Sequence, residues 1–178
     1  FNDDDLTDLV LMPSYFSIPI FLKNEGDKYT KLDYSPFKEN LRASFLVFYD
    51  YNRDGVLDVI KGTLNQKTEL KPDPLQLFIG QLVDGKIFYK FQKNVLDSKP
   101  RPVAGLSLID FNLDGDLDLF VGNWYKKVNG NFMPTPDELF QYSNKQYVDA
   151  SKILEGEDVF NNDYQSYINA TPTFGTGI

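Results

Sequence analysis

Asp50-Tyr-Asn-Arg-Asp-Gly-Val-Leu-Asp58 and Asp110-Phe-Asn-Leu-Asp-Gly-Asp-Leu-Asp118 are the two stretches that decide how this chain is read. Both follow the pattern Asp-x-Asn-x-Asp-Gly-x-x-Asp, and they start 60 residues apart. Each follows an apolar run, Phe45-Leu-Val-Phe-Tyr49 or Leu106-Ser-Leu-Ile109. Each leads into another, Val59-Ile60 or Leu119-Phe-Val121. A partial third copy opens the chain, where Phe1-Asn-Asp-Asp-Asp-Leu-Thr-Asp8 runs into Leu9-Val-Leu-Met12 and only the leading Asp is missing.

The spacing suits a hard cation. Ca²⁺ takes roughly 6–8 oxygen ligands at about 2.3–2.6 Å from flexible donors. A tight loop can present side chains at positions 1, 3 and 5 to one point, add a backbone carbonyl at position 7, and add a carboxylate at position 9. Glycine at position 6 permits the positive φ of the turn. The second loop then offers Asp50, Asn52, Asp54, the carbonyl of Val56, and Asp58. The third offers Asp110, Asn112, Asp114, the carbonyl of Asp116, and Asp118. The first retains Asn2, Asp4, the carbonyl of Leu6, and Asp8, with Asp5 in place of the glycine and Thr7 in place of the leucine. It needs an Asp just before Phe1 to be complete. Asp is among the residues that enter the left-handed region most readily. Leu57 and Leu117 at position 8 are expected to anchor their loops in the core. The pattern is the first half of an EF-hand loop without its Glu at position 12, where Lys61 and Val121 stand. Asp, Asn and Gly also form metal-free Asx-turns. Repetition in one strand context argues for the ion, as does the mutual repulsion of clustered carboxylates without a cation.

The segments between loops repeat as well. Each loop is followed by a β-prone pair around a polar or glycine-bearing turn: Ile18–Leu22 with Tyr29–Leu32, Leu75–Ile79 with Lys86–Phe91, and Glu138–Tyr142 with Tyr147-Val148. Each unit therefore holds about four strands, one leaving the loop, two in a hairpin and one returning to the next loop. Four-stranded units repeating every ~40–60 residues predict propeller blades. The chain reads as all-β, a partial β-propeller domain over 1–178 with approximate blades 1–49, 50–109 and 110–178. Three units are fewer than the typical four to eight blades, so a larger propeller is expected. The chain opens at Phe1 rather than Met, and its natural N-terminus is expected to lie upstream. The polar stretch Ser151–Asp163 is expected to be an irregular insertion or a short helix, and Pro172–Ile178 to resemble the run before another loop.

Composition narrows the function. The 178 residues contain no Cys and no His, which excludes disulfides, Cys/His zinc sites and His-based nucleophile pairs, and any metal must be held by oxygen. No run reaches the ~18–20 apolar residues of a membrane span. The formal charge is −8, from 26 acids and 18 bases. That balance argues against nucleic acid as a partner. Eleven of the acids lie in the three loops, leaving 15 acids against 18 bases elsewhere. The surplus of acid is local to the loops.

The loops Asp50–Asp58 and Asp110–Asp118, the partial Asn2–Asp8, the Leu-Phe-Val-Gly at 119–122 and Phe174-Gly175 resemble the FG-GAP/VCBS repeat family, the calcium-loop propellers that include the integrin α-subunit head. Glu138–Tyr142 with Tyr147–Asp149 also looks like bacterial versions found beside the ASPIC/UnbV domain. The resemblance implies a seven-bladed propeller, often secreted or on the cell surface, with Ca²⁺ in a structural role.

The expected function is therefore a non-catalytic, calcium-binding scaffold acting in adhesion or ligand binding, with a protein or glycan ligand. Two alternatives stay open: a lectin-like propeller using exposed aromatics such as Trp124, Tyr125 and Tyr142, and an accessory domain of a polysaccharide-active enzyme. A glycosidase reading needs two acids ~5–9.5 Å apart, but most clustered aspartates are already assigned to the loops. Asn169-Ala-Thr171 is a single glycosylation triplet followed by Pro172, and Lys126-Lys127 reads as a solvated turn.

Overall fold

The computed structural model describes residues 1, 4–14, 16–39, 41–64, 73–92, 96, 98–128 and 131–154. Among the described residues about half lie in strands and 3% in helix, so the all-β class holds. The strands are β1 (Leu9–Leu11), β2 (Phe16–Ser17), β3 (Ile20–Asn24), β4 (Tyr29–Lys31), β5 (Leu41–Arg42), β6 (Phe45–Tyr49), β7 (Asp58–Gly62) and β8 (Gln76–Val83). They continue as β9 (Lys86–Gln92), β10 (Val103–Ile109), β11 (Asp118–Asn123), β12 (Tyr125–Val128), β13 (Asn131–Pro134), β14 (Glu138–Ser143) and β15 (Gln146–Asp149). A 3-10 helix follows at Ser151–Leu154. The other part of the expected insertion, and the segments 155–178 that include the glycosylation triplet and the terminal run, lie outside the described residues.

Three antiparallel sheets carry the fold, ordered β1-β3-β4, β6-β7-β8-β9 and β10-β11-β14-β15. Two short ribbons, β2-β5 and β12-β13, complete the described strands. Lys126 and Lys127 thus belong to a strand, paired with Met133 and Phe132, and not to a turn. The sheets are offset by one strand from units that begin at the loops. β6 and β10, which enter an acidic loop, share a sheet with β7 and β11, which leave it: Ile109 lies opposite Asp118, and Ser107 opposite Phe120. A short loop that turns sharply returns the chain to its own neighbour, so hydrogen bonding groups 45–92 and 103–149.

The hairpin turns follow from chemistry at single residues. Asp84 and Gly85 have φ of 50° and 73°, and Asn144 and Lys145 have 52° and 62°. Two consecutive left-handed residues make the type I′ geometry whose twist matches that of the flanking strands. β8 and β9 consequently pair from Val83↔Lys86 to Leu77↔Gln92, and β14 and β15 from Ser143↔Gln146 to Phe140↔Asp149.

The chain divides into two compact units, Phe1–Lys61 with Leu77–Gln92, and Gly62–Gln76 with Lys93–Ile178. In the first, Phe21 of β3, Phe37, Leu41, Ala43, Val59 of β7, and Ile87 and Tyr89 of β9 form a buried cluster. Phe37 and Tyr89 stack with ring centroids 4.7 Å apart, and Phe21 stands 6.0 Å from Tyr89. Each fully buried Phe or Leu stabilises by about 1.5–3 kcal/mol through loss of apolar surface from water. Tyr89 carries a hydroxyl into this cluster, and burial together with the charge of Asp58 raises its pKa. In the second unit Val103, Leu119, Val121, Leu139, Phe140 and Tyr147 are buried.

Candidate functional site

The second and third acidic loops have the same conformation residue by residue. At position 4, Arg53 and Leu113 have φ of 60° and 59°, and at position 6, Gly55 and Gly115 have 85° and 86°. These left-handed residues turn the amides of positions 5, 6 and 7 onto the loop's own side chains. The Asp50 carboxylate accepts from the Asp54 amide at 3.1 Å and the Gly55 amide at 2.9 Å. Asp110 accepts from Asp114 at 3.1 Å and Gly115 at 3.1 Å. Asn52 and Asn112 accept from the same position-5 amides, at 3.0 and 3.2 Å, while their Nδ2 groups donate to Asp54 and Asp114 at 2.8 and 2.7 Å. The amides of Val56 and Asp116 donate back to Asp54 and Asp114, at 2.9 Å each. Positions 1, 3 and 5 are therefore brought together around one backbone amide in both loops.

Position 9 behaves differently, and alike in all three copies. Asp58 and Asp118 are the first residues of β7 and β11, 1% and 0% exposed. One oxygen of Asp58 accepts from the Tyr51 amide at 2.9 Å and the other from the Gly80 amide of β8 at 2.8 Å. Asp118 takes the Phe111 amide at 3.2 Å and the Tyr142 amide of β14 at 2.8 Å. Asp8 takes the Phe1 nitrogen and the Asn24 amide of β3, each at 2.8 Å. Each carboxylate ties position 2 of its loop to the first strand of the following hairpin.

The first loop keeps part of the rest. Asp5 at position 6 has φ of 61°, so an aspartate does occupy the left-handed glycine position. Leu6 donates to Asp4 at 3.2 Å, the position 7-to-5 bond of the other loops. Lys23 lies 3.8 Å from the Asp4 carboxylate. Asn2 lies outside the described residues.

Two sequence expectations are corrected here. Leu57 is 38% exposed and Leu117 only half-buried, so leucine at position 8 is not the anchor. Carboxylates at position 9 do that work, and in the second loop Val56 packs against the core. Tyr142 is half-buried, its ring edge-on to buried Tyr147 at 5.4 Å, so it is not an open stacking platform. Trp124 is half-buried too.

Sequence reasoning passed over Gly80. A Cβ there would collide with the Leu57 carbonyl oxygen and come to 2.9 Å from Val56 Cγ1, so only glycine lets β8 approach the second loop this closely. It also passed over a second repeat, Pro-Asp-x-Leu at 72–75 and 136–139. The amides of Leu75 and Leu139 donate to the hydroxyls of Ser98 and Ser151 at 3.2 and 3.1 Å. Nearby, Asn123 donates to the Pro136 carbonyl at 2.7 Å and to Glu138 at 3.1 Å, and Arg101 Nε stands 3.5 Å from Glu138. Burial raises the pKa of both Asp137 and Glu138. These acids are held by Asn123 and Arg101 as ties within the sheet.

The donor set of the loops fits a hard, oxygen-seeking cation: carboxylates, a side-chain amide and a backbone carbonyl, with no nitrogen or sulfur ligand. Among the described residues no three acidic side chains lie close enough together to form a ready-made metal group. The carboxylates are turned onto the loop's amides, and a carboxylate oxygen that accepts one N–H keeps a further lone pair. Burial raises the pKa of Asp58 first, the charge of Asp54 raises it further, and the amides of Gly80, Tyr51 and Asn52 lower it. Asp114 is held below the usual carboxylate range by the Asp116 amide and by Asn112.

No known protein family matches the chain, and no solved structure matches it. It is similar to cartilage acidic protein 1 of Xenopus tropicalis, 25% identical over 100 residues. That alignment covers 56% of this chain and 14% of the relative, so the chain spans only a small part of that protein's length. Among the described residues no helix is long and apolar enough to cross a membrane.

Proposed function

We propose that the chain is a non-catalytic segment of a calcium-stabilised β-propeller of the FG-GAP/VCBS kind, working outside the cell in adhesion or ligand binding. The observation that carries this reading is the identity of the two complete loops, in donor residues, left-handed positions and hydrogen bonds. Positions 1, 3 and 5 (Asp50, Asn52, Asp54 and Asp110, Asn112, Asp114) would hold the ion, with the position-7 carbonyls of Val56 and Asp116 and the carboxylates of Asp58 and Asp118. The ion would neutralise the loop's carboxylates and lock the loop between two strands. Asp4, Leu6 and Asp8 would form an incomplete third site with Asn2. Extracellular Ca²⁺ is plentiful enough to fill weak sites of this type. The likeness to a protein named for cartilage is in keeping with that setting.

The three sheets are read as consecutive blades of one propeller, because the second and third repeat the same loop, position-9 tie and hairpin, and the first keeps the position-9 tie to the strand of a following hairpin. The sugar-stacking alternative draws no support from Tyr142, whose ring is packed on Tyr147. The test is calorimetric titration of the chelator-treated chain with Ca²⁺, alongside Asp54→Ala and Asp114→Ala. Each substitution should remove one ion from the stoichiometry. No binding by the unmutated chain, or an unchanged ion count in both variants, refutes the reading.

A further inference from the structure

The amides that tie each hairpin to a position-9 aspartate belong to Asn24, Gly80 and Tyr142. The residues just before them are therefore equivalent: Lys23 of β3, Ile79 of β8 and Gln141 of β14. Two of the three reach position 5 of their own loop. The Lys23 ammonium stands 3.8 Å from the Asp4 carboxylate. The side-chain amide of Gln141 donates to the Asp114 carboxylate. The contact thus belongs to the place in the hairpin and not to one side chain. Its chemistry differs from loop to loop: a cation at the first, an apolar side chain at the second, and a neutral amide at the third. The Lys23–Asp4 pair is partly exposed, so as a salt bridge it adds little stability. Its consequence lies in what it does to a second cation.

We infer that this strand position sets the calcium affinity of its loop: an ammonium there opposes the ion, an apolar side chain leaves the ion to the loop alone, and an amide supports it. The inference rests on the calcium reading of the loops, in which position 5 is a ligand. An ion about 2.3–2.6 Å from the Asp4 carboxylate would lie within roughly 6 Å of the Lys23 ammonium. At that range a divalent and a monovalent cation repel enough to cost about tenfold in affinity, even with the dielectric of water. Lys23 therefore gives the first loop a cation of its own. Glutamine acts in the opposite sense, because side-chain amide oxygens are ordinary Ca²⁺ ligands. A half-turn of the Gln141 terminal amide, a soft torsion, presents its oxygen where its N–H now stands. Ile79 has no polar atom to offer, which leaves the second loop dependent on its own donors.

Moving the lysine onto the two complete loops tests this by calorimetric titration with Ca²⁺. The chain carrying Asp54→Ala reads the third loop, and the chain carrying Asp114→Ala reads the second. In the first background Gln141→Lys should raise Kd by about tenfold or more, and Gln141→Ile by less. In the second, Ile79→Lys should raise Kd by about tenfold, while Ile79→Gln should lower it. Urea unfolding in chelator shows which variants fold, and if Ile79→Lys does not, the Gln141 pair decides. An affinity that Gln141→Lys leaves unchanged, or equal losses in Gln141→Lys and Gln141→Ile, overturns the inference while the calcium reading stands. No uptake of Ca²⁺ by the unmutated chain overturns both.

Discussion

The carboxylate of Asp58 accepts the Gly80 amide at 2.8 Å across 22 residues of sequence, and the same bond joins Asp118 to Tyr142 and Asp8 to Asn24. Each aspartate is buried at the foot of a strand and holds its loop against the hairpin that follows. In loop terms it is the last candidate ligand, and in packing terms it is the loop's tie to the strand that follows.

Removal of this tie should cost stability whether or not Ca²⁺ is present. Asp118→Ala strands the Phe111 and Tyr142 amides, and a hydrogen bond to a charged group contributes about 1.5–3 kcal/mol. A loss of about 3 kcal/mol or more in urea unfolding is expected in chelator. Asp118→Asn keeps one acceptor oxygen and should lose about half as much. Asp110→Ala touches only exposed loop amides and should lose about 1 kcal/mol or less in chelator while abolishing the calcium response of its loop. Equal losses for Asp110→Ala and Asp118→Ala would contradict this division of labour.

Calcium should raise apparent stability by mass action. At a free concentration of 100 times Kd, each filled site adds about 2.7 kcal/mol. Melting temperature should climb with the logarithm of Ca²⁺ and return to its starting value with chelator. In the double variant Asp54→Ala/Asp114→Ala the climb should largely vanish. Melting that is indifferent to Ca²⁺ in the unmutated chain would exclude a structural ion.

Gly80→Ala should be disproportionately harmful for a one-methyl change. Its Cβ would meet the Leu57 carbonyl oxygen, which is backbone and cannot swing aside. Overpacking of this kind costs about 1–3 kcal/mol. Amide exchange of residues 54–58 should speed up, while Gly105→Ala, which meets nothing within 4 Å, should leave those residues unaffected.

Leu113 is 86% exposed with φ of 59°, an unfavourable conformation for a leucine with no packing to offset it. Leu113→Asn should stabilise by about 0.5–1 kcal/mol, because asparagine enters the left-handed region more readily. Thermal unfolding in chelator measures the change. A lower melting point would show that Leu113 makes a stabilising contact.

Glu138 should leave a pH signature in the second unit. Burial holds its pKa above the ordinary 4.5, against the pull of Asn123 and Arg101. Between 4.5 and the raised value, the folded chain keeps a proton that the unfolded chain has released. The contribution of this group is therefore fully present below 4.5 and declines as pH rises through that window. In Glu138→Gln this decline should be missing, so the stability of the native chain relative to the variant should fall with rising pH. A difference that is flat or rises with pH would contradict the sign.

The acidic loops were legible in the sequence because their conformation is written locally. An Asp-x-Asn-x-Asp-Gly run supplies its own acceptors for its own amides, so one short stretch carries nearly all the information about its shape. The turns at Asp84-Gly85 and Asn144-Lys145 were legible for the same reason. Leu57 was misread because position 8 is apolar, yet what it faces depends on β8, which arrives from more than twenty residues away. Tyr142 was misread because the partner ring, Tyr147, lies across a hairpin.

From its sequence alone the chain is all-β, free of His and Cys chemistry, and equipped with oxygen-rich loops in repeated strand contexts. These follow from composition and from interactions within a few residues. Only the tertiary structure assigned position 9 to two backbone partners at once, and paired the strand entering the second and third loops with the strand leaving each. Those outcomes depend on which distant amides and side chains are brought alongside one another. That choice is made by the summed burial and hydrogen bonding of whole sheets, which no single stretch of residues contains.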